Sequence, residues 1–380
     1  MVKKVLIVSS TASMIQQFTM PTIEILQSQG YQVAVAANFK EPGTITTAAA
    51  EQLKEKLASL KVSVYGVDFP RGAGSIAGNW RAYQSLKKIM KDDWSFVYTQ
   101  ASLASVLSRI LAHQRRIPVL YYAHGFQFYK GAGWKSWVLY YPIEKFLSRW
   151  TKVLVTINQE DEDLARQRFH AQSVERINGV GIDYQRFAAG ISAAKRTKIR
   201  KDLGLVDNQR LLISVGELSA RKNHRLVLEA MAKLPEKDWS YWIVGLGPLK
   251  AELQEYIVEH GLQERVRLLG YRSDVADLYH VADAAVFPSR FEGLMVAGME
   301  AMAAGLPLIY AQVRGIQDYV EDGVTGYGFA DNDLEQLQAA ILTYLHDDRN
   351  LGVAAQKAAQ QFDYPAIKQR LAEILKEMED

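Results

Sequence analysis

The chain has no cysteine in its 380 residues, which excludes a disulfide framework and any thiolate metal site. It has no 18-residue apolar run and no signal-peptide pattern at its start, so neither a membrane span nor secretion is expected. The expected location is the cytoplasm. Internal repeats and low-complexity segments are absent too. A hydrophobic content of 48% argues against disorder, and at about 150 residues per domain the length suits two domains, each able to bury a core. Charge is unevenly placed. The net +3 conceals 23 Lys/Arg against 14 Asp/Glu in residues 1–190, a balance of +9, and 22 against 28 in the remainder, a balance of −6. A basic first half suits an anionic membrane or an anionic acceptor, or is an ordinary solvated surface. No nucleic-acid partner is expected.

Lys3-Lys4-Val5-Leu6-Ile7-Val8 reads as a buried parallel strand, Gln17 to Gln29 as a helix ended by Gly30, and Tyr31 to Ala36 as the next strand, which is a βαβ unit. The alternation recurs at Phe96–Tyr98, Val119–Tyr122 and Val153–Thr156. A second series runs through Leu211–Val215, Tyr241–Val244, Val266–Leu269, Ala284–Phe287 and Leu306–Tyr310. Two doubly wound α/β sheets follow, with the boundary expected between Asp183 and Asn208, a polar stretch without a strand pattern. Tandem domains of this kind usually bind ligand in a cleft between the carboxyl ends of their strands.

Glu292 and Glu300 are separated by seven residues around an expected helix start at Gly293, in a run of small and apolar helix formers that ends at Gly305-Leu306-Pro307. A helix N-terminus after a strand offers unpaired N–H groups and partial positive charge to a phosphate. Were the span wholly helical, about 1.5 Å per residue would place the acids roughly 12 Å apart along the axis. That is about the reach of a ribose–diphosphate–sugar unit. The plain alternative is a surface acid plus a helix-capping acid.

Four further turns follow strand ends. Gly216-Glu217-Leu218-Ser219-Ala220-Arg221-Lys222-Asn223-His224 carries two cations before a helix, a fork of donors and a point charge suited to a diphosphate. A solvated basic turn is the other reading. Gly245-Leu246-Gly247-Pro248 permits a tight turn and close approach of a ligand, or serves simple packing. Gly270-Tyr271-Arg272-Ser273-Asp274 brackets a base or supplies a plain N-cap at Ser273 or Asp274. Glu321-Asp322-Gly323…Gly326 closes the series.

Taken in order, Gly216…Arg221-Lys222-Asn223, Gly245-Leu246-Gly247-Pro248, Leu269-Gly270-Tyr271, Glu292-Gly293…Glu300…Gly305-Leu306-Pro307 and Glu321-Asp322-Gly323 resemble the retaining glycosyltransferases of family 4. In the first half, Phe18-Thr19-Met20-Pro21, Ala123-His124-Gly125-Phe126, Tyr141-Pro142-Ile143-Glu144-Lys145 and Asn178-Gly179-Val180-Gly181-Ile182-Asp183 are similar to the subgroup that builds bacterial capsules and exopolysaccharides.

The resemblance implies a GT-B fold, two Rossmann-like domains facing across a cleft. An acceptor domain would span 1–190, a nucleotide-sugar domain 191–362, and a helix over 363–380 would return to the first domain. It implies a nucleotide-sugar donor, taken as a UDP-sugar, and a glycan or lipid-linked acceptor. Lys222 would neutralise the diphosphate, Glu292 would contact the sugar, Glu300 the ribose, and His124 would lie near the anomeric centre. Gly216, Arg221, Gly245, Gly247, Tyr271, Arg272, Gly293, Leu294 and Met295 would complete the donor site. Two departures weaken parts of the pattern. Glu217 stands where many relatives have Arg, so Arg221 is expected to supply that charge, and Ser9–Met14 replaces the usual glycine-rich loop after the first strand.

The resemblance also implies transfer with retention and without a metal or other cofactor, by a front-face substitution in which the leaving phosphate takes the acceptor proton. Asp161-Glu162-Asp163 mimics a metal motif, but Asn158-Gln159-Glu160 before it and Leu164-Ala165-Arg166 after it read as the acidic first turn of a helix. Trp134 to Phe146, dense in aromatics with interspersed lysines, is either a membrane-interface segment or a buried helix wall. Rival readings are a nucleotide-sugar 2-epimerase of the same fold and a catalytically silent sugar-nucleotide-binding subunit.

Overall fold

The computed structural model describes residues 3–70, 72, 74–100, 102–205, 209–236 and 238–379. Asn208, at one end of the expected boundary stretch, lies outside them, as do the terminal residues of the outer domain ranges. The chain divides into two compact units, one of residues 1–180 with 365–380 and one of residues 181–364. These limits differ from 190/191 and 362/363.

In the first unit, strands β1 (Lys4–Thr11), β2 (Gln32–Asn38), β3 (Ser63–Gly66), β4 (Phe96–Gln100), β5 (Val119–Tyr122), β6 (Val153–Thr156) and β7 (Ser173–Arg176) form one parallel sheet in the order β3-β2-β1-β4-β5-β6-β7. Parallel pairing requires crossover connections, and the helices that supply them cover both faces of the sheet. Val5, Leu6, Ile7 and Val8 of the central strand accordingly have no exposed surface. Helix Tyr364–Lys376, apart from its first residue, belongs to this unit. It buries Ile367, Leu371, Ile374 and Leu375, and its Lys368 and Arg370 pair with Glu24 and Glu175 at 2.8 and 2.6 Å.

In the second unit, β8 (Arg210–Val215), β9 (Trp239–Val244), β10 (Val266–Gly270), β11 (Ala284–Phe287), β12 (Leu308–Ala311) and β13 (Gly326–Phe329) are parallel in the order β10-β9-β8-β11-β12-β13. One face packs Leu211, Ile213 and Trp242 against Met299 and Met302; the other packs Leu212, Tyr241 and Ile243 against Val227 and Met231. Both sheets reverse strand order beside their first strand, where doubly wound folds place ligands at the carboxyl ends.

The expected boundary stretch contains two helices among its described residues. Asp183 caps helix Tyr184–Ala188 by accepting from Arg186 N at 3.1 Å, and helix Ala193–Asp202 buries no residue, which accounts for its polar sequence. The change of unit falls at Val180/Gly181, inside the Asn178–Asp183 motif.

Candidate functional site

In the second unit the turn after β8 and the loop after β11 meet. Glu292 Oε1 accepts Lys222 Nζ at 2.7 Å, and its Oε2 accepts Arg221 Nη1 at 2.6 Å. Glu292 and Lys222 are buried, and Arg221 is half-buried. Burial alone would raise the Glu292 pKa, but Lys222 and Arg221 outweigh it and hold the carboxyl below its ordinary value. Burial lowers the Lys222 ammonium, which Glu292 partly restores. The three groups carry one excess positive charge, arranged about a carboxylate that an incoming anion would displace from its cations. Glu217 is exposed and has no bond to Lys222 or Arg221, though its charge also raises the Lys222 pKa slightly.

His224, buried at the first position of the helix that follows this turn, went unassigned in the sequence. Its ring contacts the Tyr241 hydroxyl at 3.2 Å through Nδ1, its Nε2 has no partner, and burial with the neighbouring Lys222 charge lowers its pKa to about 4. The imidazole is therefore neutral at physiological pH.

Gly245 and Gly247 pack the neighbouring loop closely. A Cβ on Gly245, at φ +149, would stand 1.9 Å from the Gly216 carbonyl oxygen, and one on Gly247 would stand 2.4 Å from that of Leu218. The two loops lie flush, joined by Leu218 N donating to Leu246 O at 3.0 Å and Leu249 N to Leu218 O at 3.0 Å. Their glycines thus position the Arg221–Lys222 turn.

The helix carrying Glu300 is Val296–Ala303, so it starts three residues beyond Gly293 and the span between the two acids is not wholly helical. Gly293 and Leu294 are in the loop, and buried Met295 stands at the N-cap position, its carbonyl accepting the Tyr319 hydroxyl at 3.2 Å. Glu300 is half-buried, and no hydrogen bond or salt bridge among the described residues satisfies its carboxylate. Burial raises its pKa to about 7, with Arg186 opposing weakly. A raised, unsatisfied carboxylate is the kind of group that marks a binding site. Tyr271 is exposed by 77%, its ring free to meet a planar partner. Arg272 instead grips Asp274 through two bonds of 2.8 and 2.6 Å, so Asp274 occupies the N-cap position of helix Val275–Val281 without making the side-chain cap bond expected of it.

In the first unit His124 follows β5, between the Phe18 and Tyr122 rings at 5.0 and 4.8 Å. Its Nε2 meets Gln100 Oε1 at 2.8 Å, while Gln100 Nε2 donates to Ser9 Oγ at 2.6 Å and to Thr19 Oγ1. Because Gln100 presents its carbonyl, Nε2 carries the hydrogen and Nδ1 the lone pair. Burial lowers the His124 pKa to about 4, so this tautomer persists at neutral pH. Ser9, within the segment that replaces the glycine-rich loop, is wholly buried and engaged with Gln100. Sequence reading missed Gln100, although a glutamine ending the apolar run Phe96-Val97-Tyr98-Thr99 was a readable signal.

Asp161, Glu160 and Glu162 do form the acidic first turn of a helix, Gln159–Arg168. Asp161 is buried, and its Oδ2 accepts Phe126 N at 2.9 Å and Asn158 Nδ2 at 3.0 Å; Glu160 accepts Lys130 N. These acids hold the loop that follows His124. Among the described residues no group of three His, Asp or Glu is arranged to hold a metal.

The Trp134–Phe146 segment lies in helix Trp134–Leu147. Trp137, Tyr140, Tyr141, Glu144 and Leu147 point inward, whereas Trp134, Val138, Leu139, Ile143 and Phe146 are exposed by 40–71%. Among the described residues no helix is long and apolar enough to cross a membrane.

A model of the group 1 glycosyl transferases matches residues 195–363, and one of the glycosyl transferase 4-like domain matches residues 15–178. EpsD of Bacillus subtilis, described as a glycosyltransferase, is 31% identical over 98% of this chain and 96% of its own length. The UDP-Gal:α-D-GlcNAc-diphosphoundecaprenol α-1,3-galactosyltransferase of Escherichia coli is 28% identical over 73% of each chain. The crystal structure of Anabaena HepE with UDP and glucose superposes with a TM-score of 0.77 at 22% identity, over 98% of this chain and 99% of that one, a likeness of fold. The chain belongs to the group 1 glycosyltransferases of family 4, with the two parallel-sheet units of the GT-B fold. It is a glycosyltransferase.

Proposed function

We propose that the protein transfers a hexosyl group, with retention, from a UDP-sugar to a lipid-linked or glycan acceptor in exopolysaccharide or capsule biosynthesis. The observation that carries this reading is the Lys222–Glu292–Arg221 cluster, whose paired cations suit a diphosphate and whose carboxylate suits sugar hydroxyls. Glu300 accepts the ribose hydroxyls, and Tyr271 meets the base, with Arg272 beside it. The galactosyltransferase relative, named for a UDP-sugar and a lipid-linked acceptor, supports the choice of substrates.

In the transfer the bond from the anomeric carbon to the β-phosphate oxygen breaks. The acceptor oxygen bonds to that carbon on the same face, and its proton passes to the departing phosphate. Lys222 and Arg221 stabilise the charge that grows on the leaving group, the task a metal performs elsewhere. Asp161 is no free ligand, because Phe126 N and Asn158 already engage its carboxylate. His124, neutral with its lone pair on Nδ1, is able to accept a hydrogen bond from a sugar hydroxyl.

The exposed apolar half of helix Trp134–Leu147, with Lys135, Lys145 and Arg149 beside it, docks on an anionic bilayer. Binding to anionic vesicles that exceeds binding to neutral ones, and falls with salt, supports this; no binding refutes it. For the reaction, a thermal-shift screen of nucleotide sugars comes first, since a ligand at 100 times its dissociation constant adds about 2.7 kcal/mol. Product analysis with the sugar that binds then decides. A glycosylated acceptor or slow donor hydrolysis supports transfer, an isomerised donor means an epimerase, and an unchanged donor means a silent binding subunit.

A further inference from the structure

Beside His124, within the first unit, lies a cavity of about 220 Å³ walled by Tyr121, Phe126, Phe128 and Tyr140, with Glu144 among its lining residues. Glu144 is 7% exposed. Its Oε2 accepts Arg109 Nη2 at 2.7 Å, and its Oε1 accepts only a long bond of 3.3 Å from the Tyr121 hydroxyl. Arg109 is 1% exposed, lies 4.3 Å from the Tyr121 ring centre, and also donates to Ser105 O and Oγ at 3.3 and 3.1 Å. A buried ion pair is a poor choice for stability alone, because apolar side chains of like volume commonly serve as well. Arg109 sits unexpectedly among Leu107, Leu111 and Ala112 of helix Ser102–Arg115, and its one carboxylate partner opens on a cavity.

A carboxylate has about four lone-pair sites, so two bonds leave Glu144 able to accept from groups inside the cavity. Arg109 keeps it fixed and compensated while it does so. Aromatic walls with a fixed carboxylate suit a sugar ring, whose C–H faces pack on the rings and whose hydroxyls donate to the acid. The volume lies below the roughly 300–1,000 Å³ of pockets for drug-sized ligands, which suits one ring and not an oligosaccharide.

We propose that this cavity receives the ring of the acceptor that takes the new bond, with Glu144 Oε1 accepting one of its hydroxyls and Tyr140 covering a face. Arg109 is a positioning residue. The inference rests on the glycosyl-transfer reading but concerns only the acceptor.

The test uses the full chain with octyl glucoside, galactoside and N-acetylglucosaminide of both anomers. Saturation-transfer NMR reads the ring protons, and calorimetry with UDP serves as the control. Glu144→Gln should weaken the best glycoside roughly tenfold to a hundredfold, as loss of a charge-assisted bond does, and leave UDP affinity within twofold. Arg109→Met with Glu144→Met should do the same with the melting temperature retained, and Tyr140→Ala should lower the ring-proton signal. Glycoside affinity within twofold of wild type in both Glu144→Gln and Tyr140→Ala overturns the proposal. So does UDP binding by a wild type that saturates no glycoside at millimolar concentration. Glycoside binding without UDP binding leaves the subsite standing and overturns the donor reading instead.

Discussion

The two units share a sheet design yet hold opposite kinds of chemistry at the carboxyl ends of their strands. Around Lys222 the second unit gathers formal charges, two cations on one carboxylate, and it also carries Glu300, an acid whose pKa burial raises. Around His124 the first unit offers a neutral imidazole, an amide and hydroxyls locked in a chain, and the buried Arg109–Glu144 pair is internally compensated. The contrast follows the substrates proposed. A diphosphate brings two negative charges that must be met by cations, whereas hydroxyl groups need fixed neutral donors and acceptors and a single aligned carboxylate.

The sharpest way to break this contrast is Lys222→Ala, which removes a charge aimed at the leaving group. Transfer should fall on the order of 100-fold, the usual size for losing one preorganised donor, with the circular-dichroism spectrum unchanged because Arg221 still pairs with Glu292. Near-normal turnover would refute the phosphate role. Arg221→Ala should cost a comparable amount only if it replaces the cation absent at Glu217.

Next in size are the two glutamates. Glu300→Gln should weaken UDP about tenfold, as expected for a charge-assisted bond to ribose, while Glu292→Gln should weaken the intact donor and not UDP, since it frees two cations for the diphosphate. Calorimetry with both ligands on both variants decides, and equal losses everywhere would remove the division of labour. Glu300 adds a stability signature. Its folded pKa of about 7 lies above the unfolded value, so ionisation opposes folding. The penalty is absent near pH 4, grows as pH rises towards 7 and is complete above it. The Gln variant should therefore melt higher than wild type at pH 8 and alike at pH 4.

His124 should show the smaller pH effect. With a folded pKa of about 4, below its unfolded value, it stays neutral through the range where an ordinary histidine titrates. NMR should find no titration of this ring between pH 5.5 and 8, and the stability it lends as a neutral group should be lost only as pH falls below about 6.5 towards 4. Gln100→Glu should raise its pKa visibly; an unshifted ring would mean that Gln100 does not govern it. The smallest expected effect is that of excess EDTA, which should leave activity within about twofold. Strong inhibition would reinstate Asp161 and Asp163 as ligand candidates.

The central strands were legible because strands buried on both faces are continuous apolar runs, as in Val5–Val8 and Ala284–Phe287. Three edge elements were not. β3 is only partly buried, β7 buries Val174 alone, and β13 is Gly-Tyr-Gly-Phe, so none carries the pattern that marks an interior strand. Among the site residues, the types and their order were readable at Lys222, Glu292, Glu300 and His124, whereas their partners were not. Arg221 lies 71 residues from Glu292, Asp161 lies 35 from Phe126, and Arg109 lies 35 from Glu144.

By itself the sequence determined the family, the alternation of strand and helix, and which side chains carry charge or a lone pair, because these follow from local pattern and chemistry. The tertiary structure alone decided that Glu292 joins both cations, that the paired glycines seat one loop on another, that Gln100 selects the His124 tautomer, and that the Asp161 turn is an anchor. Each depends on contacts between residues distant in the chain, brought together by burial of apolar surfaces that have no knowledge of the polar groups they carry.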